Sequence, residues 1–205
     1  MTEKSPMARR IGVFGGSFDP PHAAHVALAQ AAVAQLQLDE LRIIPTGQAW
    51  HKTRSLSPAL HRLAMAELAF ANVSSVIVDP SETLRAGPTY TVDTLRNLKT
   101  HWPQAELYLI IGEDQAHALS SWHEWQEIAR LAIICVAERK NMTGLKPGFV
   151  APVALESRFL KLYLPAMPIS ATDIRAQISA QECVVPLVLE AVARYIDQHH
   201  LYQTI

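Results

Sequence analysis

Six mostly apolar runs recur along the chain and predict β-strands. They span residues 10–14, 41–45, 75–79, 106–112, 131–137 and 159–165. Four segments with the helical spacing of apolar residues lie between them, at residues 22–38, 57–71, 91–102 and 121–131. Because the runs are continuous rather than alternating, both faces of their sheet should be covered. The order of elements predicts an α/β fold, a parallel sheet wrapped by helices.

The pattern changes after the sixth run, where two helical segments follow at residues 170–180 and 186–200. They could form a small helical subdomain or a final pair packed on the sheet, and the pattern leaves both open. The chain is therefore expected to be one domain, with a core at 9–165 and a helical part at 166–205. Residues 138–152 are the best candidate for a mobile loop.

Composition narrows the possible functions. The 205 residues are 49% hydrophobic and 18% charged, which allows a large buried core. Eighteen Lys and Arg against nineteen Asp and Glu give a net charge of -1, so nothing indicates a nucleic-acid or membrane-surface partner. Because the net charge is close to zero, any anionic ligand must be bound by local groups of residues. The sequence leaves the oligomeric state open.

Two features predict a cytoplasmic protein. Cys135 and Cys183 lack CxxC spacing, and Cys135 lies in an apolar run that predicts a buried small side chain. The start, "MTEKSPMARR", is polar, and no segment approaches the length of a membrane span.

The segment with the most candidate functional residues, "GGSFDPPHAAH" at 15–25, follows the first strand. Gly15 and Gly16 would let a phosphate approach the main chain and would let the turn adopt positive φ. The segment matches neither the GxGxxG nor the Walker spacing, so it predicts a different kind of phosphate-binding turn. Asp19 is expected to shape the turn through local Asx-type bonds.

His22 and His25 begin the next helix on one face, near the positive end of its dipole. Imidazoles there could donate to phosphoryl oxygens. They could also be surface residues, parts of a structural turn, or metal ligands, although further zinc ligands are not visible in the sequence.

A second polar segment, "ISATDIR" at 169–175, reads as a capping box formed by Ser170 and Asp173. It could be no more than a well-capped helix. It could also bind phosphate, because Ser170, Thr172 and Arg175 lie within the first turns of that helix.

Both motifs resemble those of a nucleotidyltransferase superfamily, GG(T/S)FDPxHxGH and ISSTxIR, with Ala24 replacing the usual glycine. Between them, "GPTYTVDTL" (87–95), "IIGEDQAHALSSWHEW" (110–125) and "IPTGQAWHK" (44–52) resemble elements of the nicotinate-nucleotide adenylyltransferase family. The resemblance covers residues 10–202 and implies a Rossmann-like, doubly wound fold. Residues 48–50 depart from the family's proline-rich lead-in to Lys52.

The resemblance implies adenylyl transfer from ATP, which brings Mg²⁺ with its phosphates, to nicotinate mononucleotide. Other acceptors used in the superfamily, nicotinamide mononucleotide or phosphopantetheine, remain alternatives, as does a non-catalytic nucleotide sensor. The implied catalytic residues are His22, His25, Lys52 and Arg175.

The resemblance also implies two sets of binding residues. Those for ATP are Gly15, Gly16, Ser17, Phe18, His25, Gly112, Asp114, Ile169, Ser170, Thr172 and Arg175. Those for the acceptor are Lys52, Thr89, Tyr90, Thr91, Trp122 and Arg139. Trp122 would stack on the pyridine ring, although spacing alone allows a core role, and Asp114 would contact the ribose or adenosine unless it only caps the next helix. His61, His101, His117, His199 and His200 are interpreted as surface or structural.

Overall fold

A computed structural model describes residues 8–47, 56–139, 150–165 and 167–203. Within them, six parallel strands form one sheet in the order β3-β2-β1-β4-β5-β6. The strands are β1 Arg10–Gly16, β2 Glu40–Pro45, β3 Val76–Val78, β4 Glu106–Gly112, β5 Ala132–Arg139 and β6 Phe159–Leu164. All six predicted strands are confirmed, and so is the α/β class.

Helices cover both faces of the sheet. They are α1 Ala23–Leu36, α2 Ala59–Phe70, α3 Ser81–Leu84, α4 Thr91–His101, α5 Glu113–Ala118, α6 Trp125–Leu131, α7 Ala171–Ser179 and α8 Glu190–Gln198. Short 3₁₀ turns at Leu119–Ser121 and Val153–Arg158 complete the connections. The predicted helix over 121–131 begins only at Trp125, because Glu124 before it adopts a left-handed φ of 50°.

The strands bury side chains on both faces, as the continuous apolar runs predict. On β4, Tyr108 and Ile110 join one hydrophobic cluster, and Leu107 and Leu109 join the other. The first cluster also takes Ile174 of α7 and Val192 of α8. α8 also packs against α2, and whether the tail is a subdomain or a final helix pair on the sheet stays a prediction. The division at 165/166 stays a prediction.

Cys135 is fully buried on β5, as its apolar surroundings predict. Burial raises the pKa of its thiol to about 12, so the group stays protonated at neutral pH. In the part of the chain that the structure describes, no helix is long and apolar enough to cross a membrane.

The sheet splits where its strand order reverses. β1 pairs with β4 only as far as Val13 and Leu109, although both strands continue to Gly16 and Gly112. β1 stays paired with β2 to its end, and β4 stays paired with β5 to its end. The two halves therefore part at the carboxyl edge, which is where open parallel sheets bind ligands.

Candidate active site

A cleft of about 990 Å³ occupies this split. Its floor is formed by the ends of β1 and β4, and its walls come from the segments that follow the strands. Residues of the first motif in its lining are Gly15, Gly16, Ser17, Asp19, His22, Ala24 and His25. Residues of the second motif in its lining are Ile169, Ser170 and Ala171. Two segments far apart in sequence thus meet at one crevice, as the phosphate-binding hypothesis requires.

The two histidines stand together at the start of α1. His22 is the N-cap residue, and its ring stacks on that of His25 with centroids 3.7 Å apart. The His22 main-chain N–H donates to His25 Nδ1 at 3.2 Å. Since Nδ1 accepts this bond, the neutral His25 ring carries its proton on Nε2. His25 therefore presents an N–H donor on its far side.

The glycine turn differs from expectation in its backbone. Gly15 and Gly16 remain part of β1, and the positive φ belongs to Phe18, at 46°. The expectation of positive φ at the glycines is therefore wrong. The Phe18 ring is 1% exposed and packs edge-on against Phe14 and Phe70, so it does not line the cleft. The buried ring of Phe18 therefore holds this turn, which does not depend on a glycine with positive φ.

Asp19 ties the turn to distant parts of the chain. Its carboxylate, 1% exposed, accepts from Tyr202 OH at 2.6 Å and from Ser57 N at 3.3 Å. Its main-chain oxygen accepts from Arg175 Nη1 at 2.8 Å. Asp19 thus joins the turn to residues far along the chain, and the expected local Asx-type bonds stay a prediction. Burial and the nearby Asp19 raise the pKa of the Tyr202 phenol, which therefore stays a donor.

The second motif forms the start of α7. Ser170 is the N-cap, and its Oγ accepts from Asp173 N at 3.1 Å and donates to Asp173 Oδ2 at 2.7 Å. The predicted cap is confirmed. Thr172 and Arg175 do not line the cleft, and the Arg175 guanidinium instead donates to Asp19 O and, at 3.1 Å, to Thr172 Oγ1.

The opposite wall carries aromatic and small polar side chains. Thr89, Tyr90, Thr91 and Trp122 all line it, as do Gly112 and Asp114 at the start of α5. Trp122 is partly buried and packs on the second hydrophobic cluster while it borders the cleft. The core interpretation of Trp122 is thus met, and its stacking on a pyridine ring stays a prediction.

This geometry can be compared with known proteins. Residues 13–177 match the model of the cytidylyltransferase-like family. A "probable nicotinate-nucleotide adenylyltransferase" of Albidiferax ferrireducens is 63% identical over 96% of this chain and 99% of its own. The chain belongs to the nicotinate-nucleotide adenylyltransferase family. A relative from Methylibium petroleiphilum with the same description is 43% identical over 95% of this chain and 92% of its own.

Solved structures show the same fold. The Plasmodium falciparum nicotinic acid mononucleotide adenylyltransferase complexed with NaAD superposes with a TM-score of 0.74 at 20% identity, covering 95% of this chain and 97% of that one. The two chains therefore share a fold although most of their aligned residues differ.

Two predicted site residues lie outside the described structure. Lys52 falls within residues 48–55, and of Arg139 only the main chain is described, at the end of β5. The predicted mobile loop falls largely on residues 140–149, which are also outside the described ranges. Their assignments stay predictions.

Sequence reasoning missed two cleft residues. His123 lines the cleft with its ring 4.5 Å from that of Tyr90, and Glu82 lines it while only 8% exposed. His117, interpreted as a surface residue, is exposed on α5 and also borders the cleft. Glu82 could have been noticed in the sequence because it lies five residues before the "GPTYT" element. Among the described residues, no group of three or more His, Cys, Asp or Glu is placed to hold a metal ion.

Glu82 should make the stability of the protein depend on pH. Burial raises the pKa of its carboxyl above the usual 4.5, and the hydrogen bond from Thr94 Oγ1 at 2.7 Å only opposes that rise. A raised pKa means that the folded state holds the proton more tightly than the unfolded state does. The resulting stabilisation is complete below the unfolded pKa and is lost as pH rises through the folded pKa.

We therefore expect the melting temperature of the wild type, relative to Glu82→Gln, to fall as the pH is raised from about 4.5 to 8. Gln keeps an acceptor for Thr94 but does not titrate, so it isolates the proton of Glu82. Thermal unfolding of both proteins in matched buffers measures the difference. A difference that is constant or grows with pH would contradict the expectation.

Proposed function

We propose that the protein transfers the adenylyl group of ATP to nicotinate mononucleotide, giving nicotinate adenine dinucleotide and pyrophosphate. One observation carries the proposal. The glycine–histidine turn, the start of α7 and the segments at Tyr90 and Trp122 all line a single cleft. A phosphate-binding side and an aromatic side in one crevice suit a reaction that joins two nucleotides. Relatives that match nearly the whole chain carry this activity in their names.

The reaction makes one bond and breaks one. An oxygen of the acceptor phosphate attacks the α-phosphorus of ATP, and the bond from that phosphorus to the oxygen bridging to the β-phosphate breaks. The attacking phosphate is already ionised at neutral pH, so no general base is needed. Alignment of the two phosphates and stabilisation of the charge in the transition state must supply the rate.

The phosphate side of the cleft fits this demand. Gly15 leaves open space above the main chain, since an added Cβ would meet only Ile44 O at 4.0 Å. His25 offers its Nε2–H beside His22, and we assign both rings to the α-phosphate region. Ser170 and Ile169 border the same space at the start of α7, and the positive end of a helix dipole favours an anion. We assign that end to the triphosphate tail.

Four further assignments are part of the proposal and rest on the resemblance. Lys52 would compensate phosphate charge, and Arg139 would contact the acceptor. Thr172 and Arg175 would meet the end of the triphosphate, although their present hydrogen bond and that of Arg175 to Asp19 place them behind the lining. Asp114, exposed in the first turn of α5, would contact the ribose or adenosine.

The aromatic side fits a pyridine ring with a carboxylate. Tyr90 is the N-cap of the eleven-residue α4, its side chain makes no capping hydrogen bond, and it lines the cleft together with Thr91. The N–H groups of a helix start are suitable donors for a carboxylate. We assign the main chain of Thr89, Tyr90 and Thr91 to the nicotinate carboxylate and the Trp122 ring to the pyridine. Such charge-assisted bonds favour nicotinate over the neutral amide.

We propose that Mg²⁺ enters as part of the substrate, bound to the ATP phosphates. Mg²⁺ in such sites keeps several waters and takes few protein ligands. We also place the protein in the cytoplasm, where thiols stay reduced, because Cys135 and the exposed Cys183 are both free.

A product assay with purified protein and Mg·ATP tests the proposal. Nicotinate mononucleotide, nicotinamide mononucleotide and phosphopantetheine are supplied separately, and the products are separated by chromatography while pyrophosphate is measured. We expect nicotinate adenine dinucleotide with kcat/KM at least tenfold above that for the other acceptors. Equal or better use of nicotinamide mononucleotide would overturn the acceptor assignment, and ATP binding without pyrophosphate release would indicate a sensor.

A further inference from the structure

Arg62, in the first turn of α2, is the largest of the fully buried side chains, with 2% of its surface exposed. A guanidinium is almost never buried unless its N–H groups are satisfied. Here Nε donates to Ser57 O at 2.8 Å, and Nη1 donates to Thr46 O at 2.7 Å and to Ser17 O at 3.1 Å. Nη2 donates to Gly47 O at 3.4 Å.

These acceptors belong to three separate segments of the chain. Ser17 directly follows β1 in the glycine turn, Thr46 and Gly47 directly follow β2, and Ser57 precedes α2. Ser17 and Thr46 both line the cleft. Thr46 N also donates to Gly16 O at 2.9 Å, so the ends of β1 and β2 are joined at this point. Arg62 thus lies beneath the phosphate side of the cleft and holds its main chain.

The turn that Arg62 holds is a strained one. Phe18, immediately after Ser17, has a φ of 46°, which a bulky residue rarely adopts. Such a conformation persists only where its surroundings fix it. In a trans peptide the N–H of Phe18 points opposite to the C=O of Ser17. The bond from Arg62 to Ser17 O therefore also sets the direction of that N–H.

We propose that Arg62 is a positioning residue for adenylyl transfer. Its guanidinium fixes the main chain at Ser17 and Thr46, and through them the phosphate-binding turn, without touching the substrates. The proposal rests on the function proposed above. This role requires the forked guanidinium group of an arginine. A lysine ammonium offers three donors at one point and cannot reach carbonyls on three segments at once.

The test compares Arg62→Lys with a matched control, Arg42→Lys. Arg42 is also a largely buried arginine, with 16% of its side chain exposed, and it pairs with Asp79 at 2.8 Å and Glu40 at 2.6 Å. It lies over the Trp102 ring, outside the lining of the cleft. Both substitutions keep the positive charge and remove the forked guanidinium group. Only Arg62→Lys also removes the hydrogen bonds to the phosphate-binding turn, so the comparison isolates the effect of those bonds.

Melting temperature, kcat and the KM of each substrate are measured for both variants, well below their unfolding temperatures. We expect comparable losses of melting temperature. Arg62→Lys alone should lower kcat about tenfold, with the KM for nicotinate mononucleotide changed less than twofold. A second variant, Arg62→Gln, keeps donors that can reach Ser57 O within the same turn and should lose activity at least as strongly.

Equal activity of Arg62→Lys and Arg42→Lys would overturn the proposal. Failure of every Arg62 variant to fold would assign the residue to stability alone and would also overturn it. Failure of the wild type to form the dinucleotide would instead reject the proposed function, so the two failures are distinguishable.

Discussion

We expect His25→Ala to lower kcat by about 10²- to 10³-fold, the usual effect of removing one donor that faces developing charge. The Nδ1 of His25 is occupied by the His22 main-chain N–H, so the ring offers Nε2–H to the α-phosphate. That donor acts in the lining of the cleft, where His25 is partly buried and a hydrogen bond to charge is stronger than in water. The loss should appear in kcat, measured by pyrophosphate release at saturating substrates.

A second substitution separates catalysis from helix capping. In His25→Asn the shorter side chain keeps an oxygen that can accept from the His22 N–H, but it loses the distal donor. We expect kcat to fall as in His25→Ala, with a melting temperature nearer the wild type. His101→Ala is the control, because His101 is exposed in the last turn of α4, with its Nδ1 within 2.9 Å of Asn97 O. Unchanged turnover in both His25 variants would show that the histidines only begin the helix.

Trp122→Ala should raise the KM for nicotinate mononucleotide by roughly 5- to 150-fold. This range corresponds to the 1 to 3 kcal/mol of an aromatic ring stacked on a base. The ring borders the cleft beside the start of α4, where the pyridine carboxylate is assigned. Steady-state kinetics with each substrate varied in turn measure the effect, and the KM for ATP should change less than twofold.

The KM for ATP serves as an internal control, which is needed because Trp122 also packs on the hydrophobic cluster. Its removal will lower stability whether or not it binds substrate. Trp125→Ala, at the start of α6 and outside the cleft lining, removes a comparable ring nearby. Trp122→Phe should keep most of the affinity, since a phenyl ring can still stack. Equal rises of both KM values in Trp122→Ala would contradict the assignment.

The strands were predictable because each is a long apolar run, and a sheet covered on both faces leaves that signal in every strand. The short helices α3 and α5 were not predicted. With four and six residues, they are too short for a helical period to be visible. The expected start of α6 was displaced for a different reason, since Glu124 adopts a left-handed φ of 50°, which the helical spacing of residues 121–131 does not indicate.

The site was partly predictable. Motif residues such as His22, His25 and Ser170 were found because their local spacing already places them at helix starts. Arg62 and Glu82 were missed as site residues, because their burial and partners arise from segments that only the fold brings together. The same is true of Tyr202, whose hydroxyl reaches Asp19 from the far end of the described chain.

The sequence by itself determined the parallel α/β fold, the two helix-start motifs and, by resemblance, the family. Only the tertiary structure decided that β1 and β4 part beyond Val13 and that both motifs open into the resulting cleft. It also decided that a buried arginine and a buried aspartate hold the turn. Local patterns record the periodicity of single elements, whereas the gap between two strands and the burial of a charge depend on contacts among many segments.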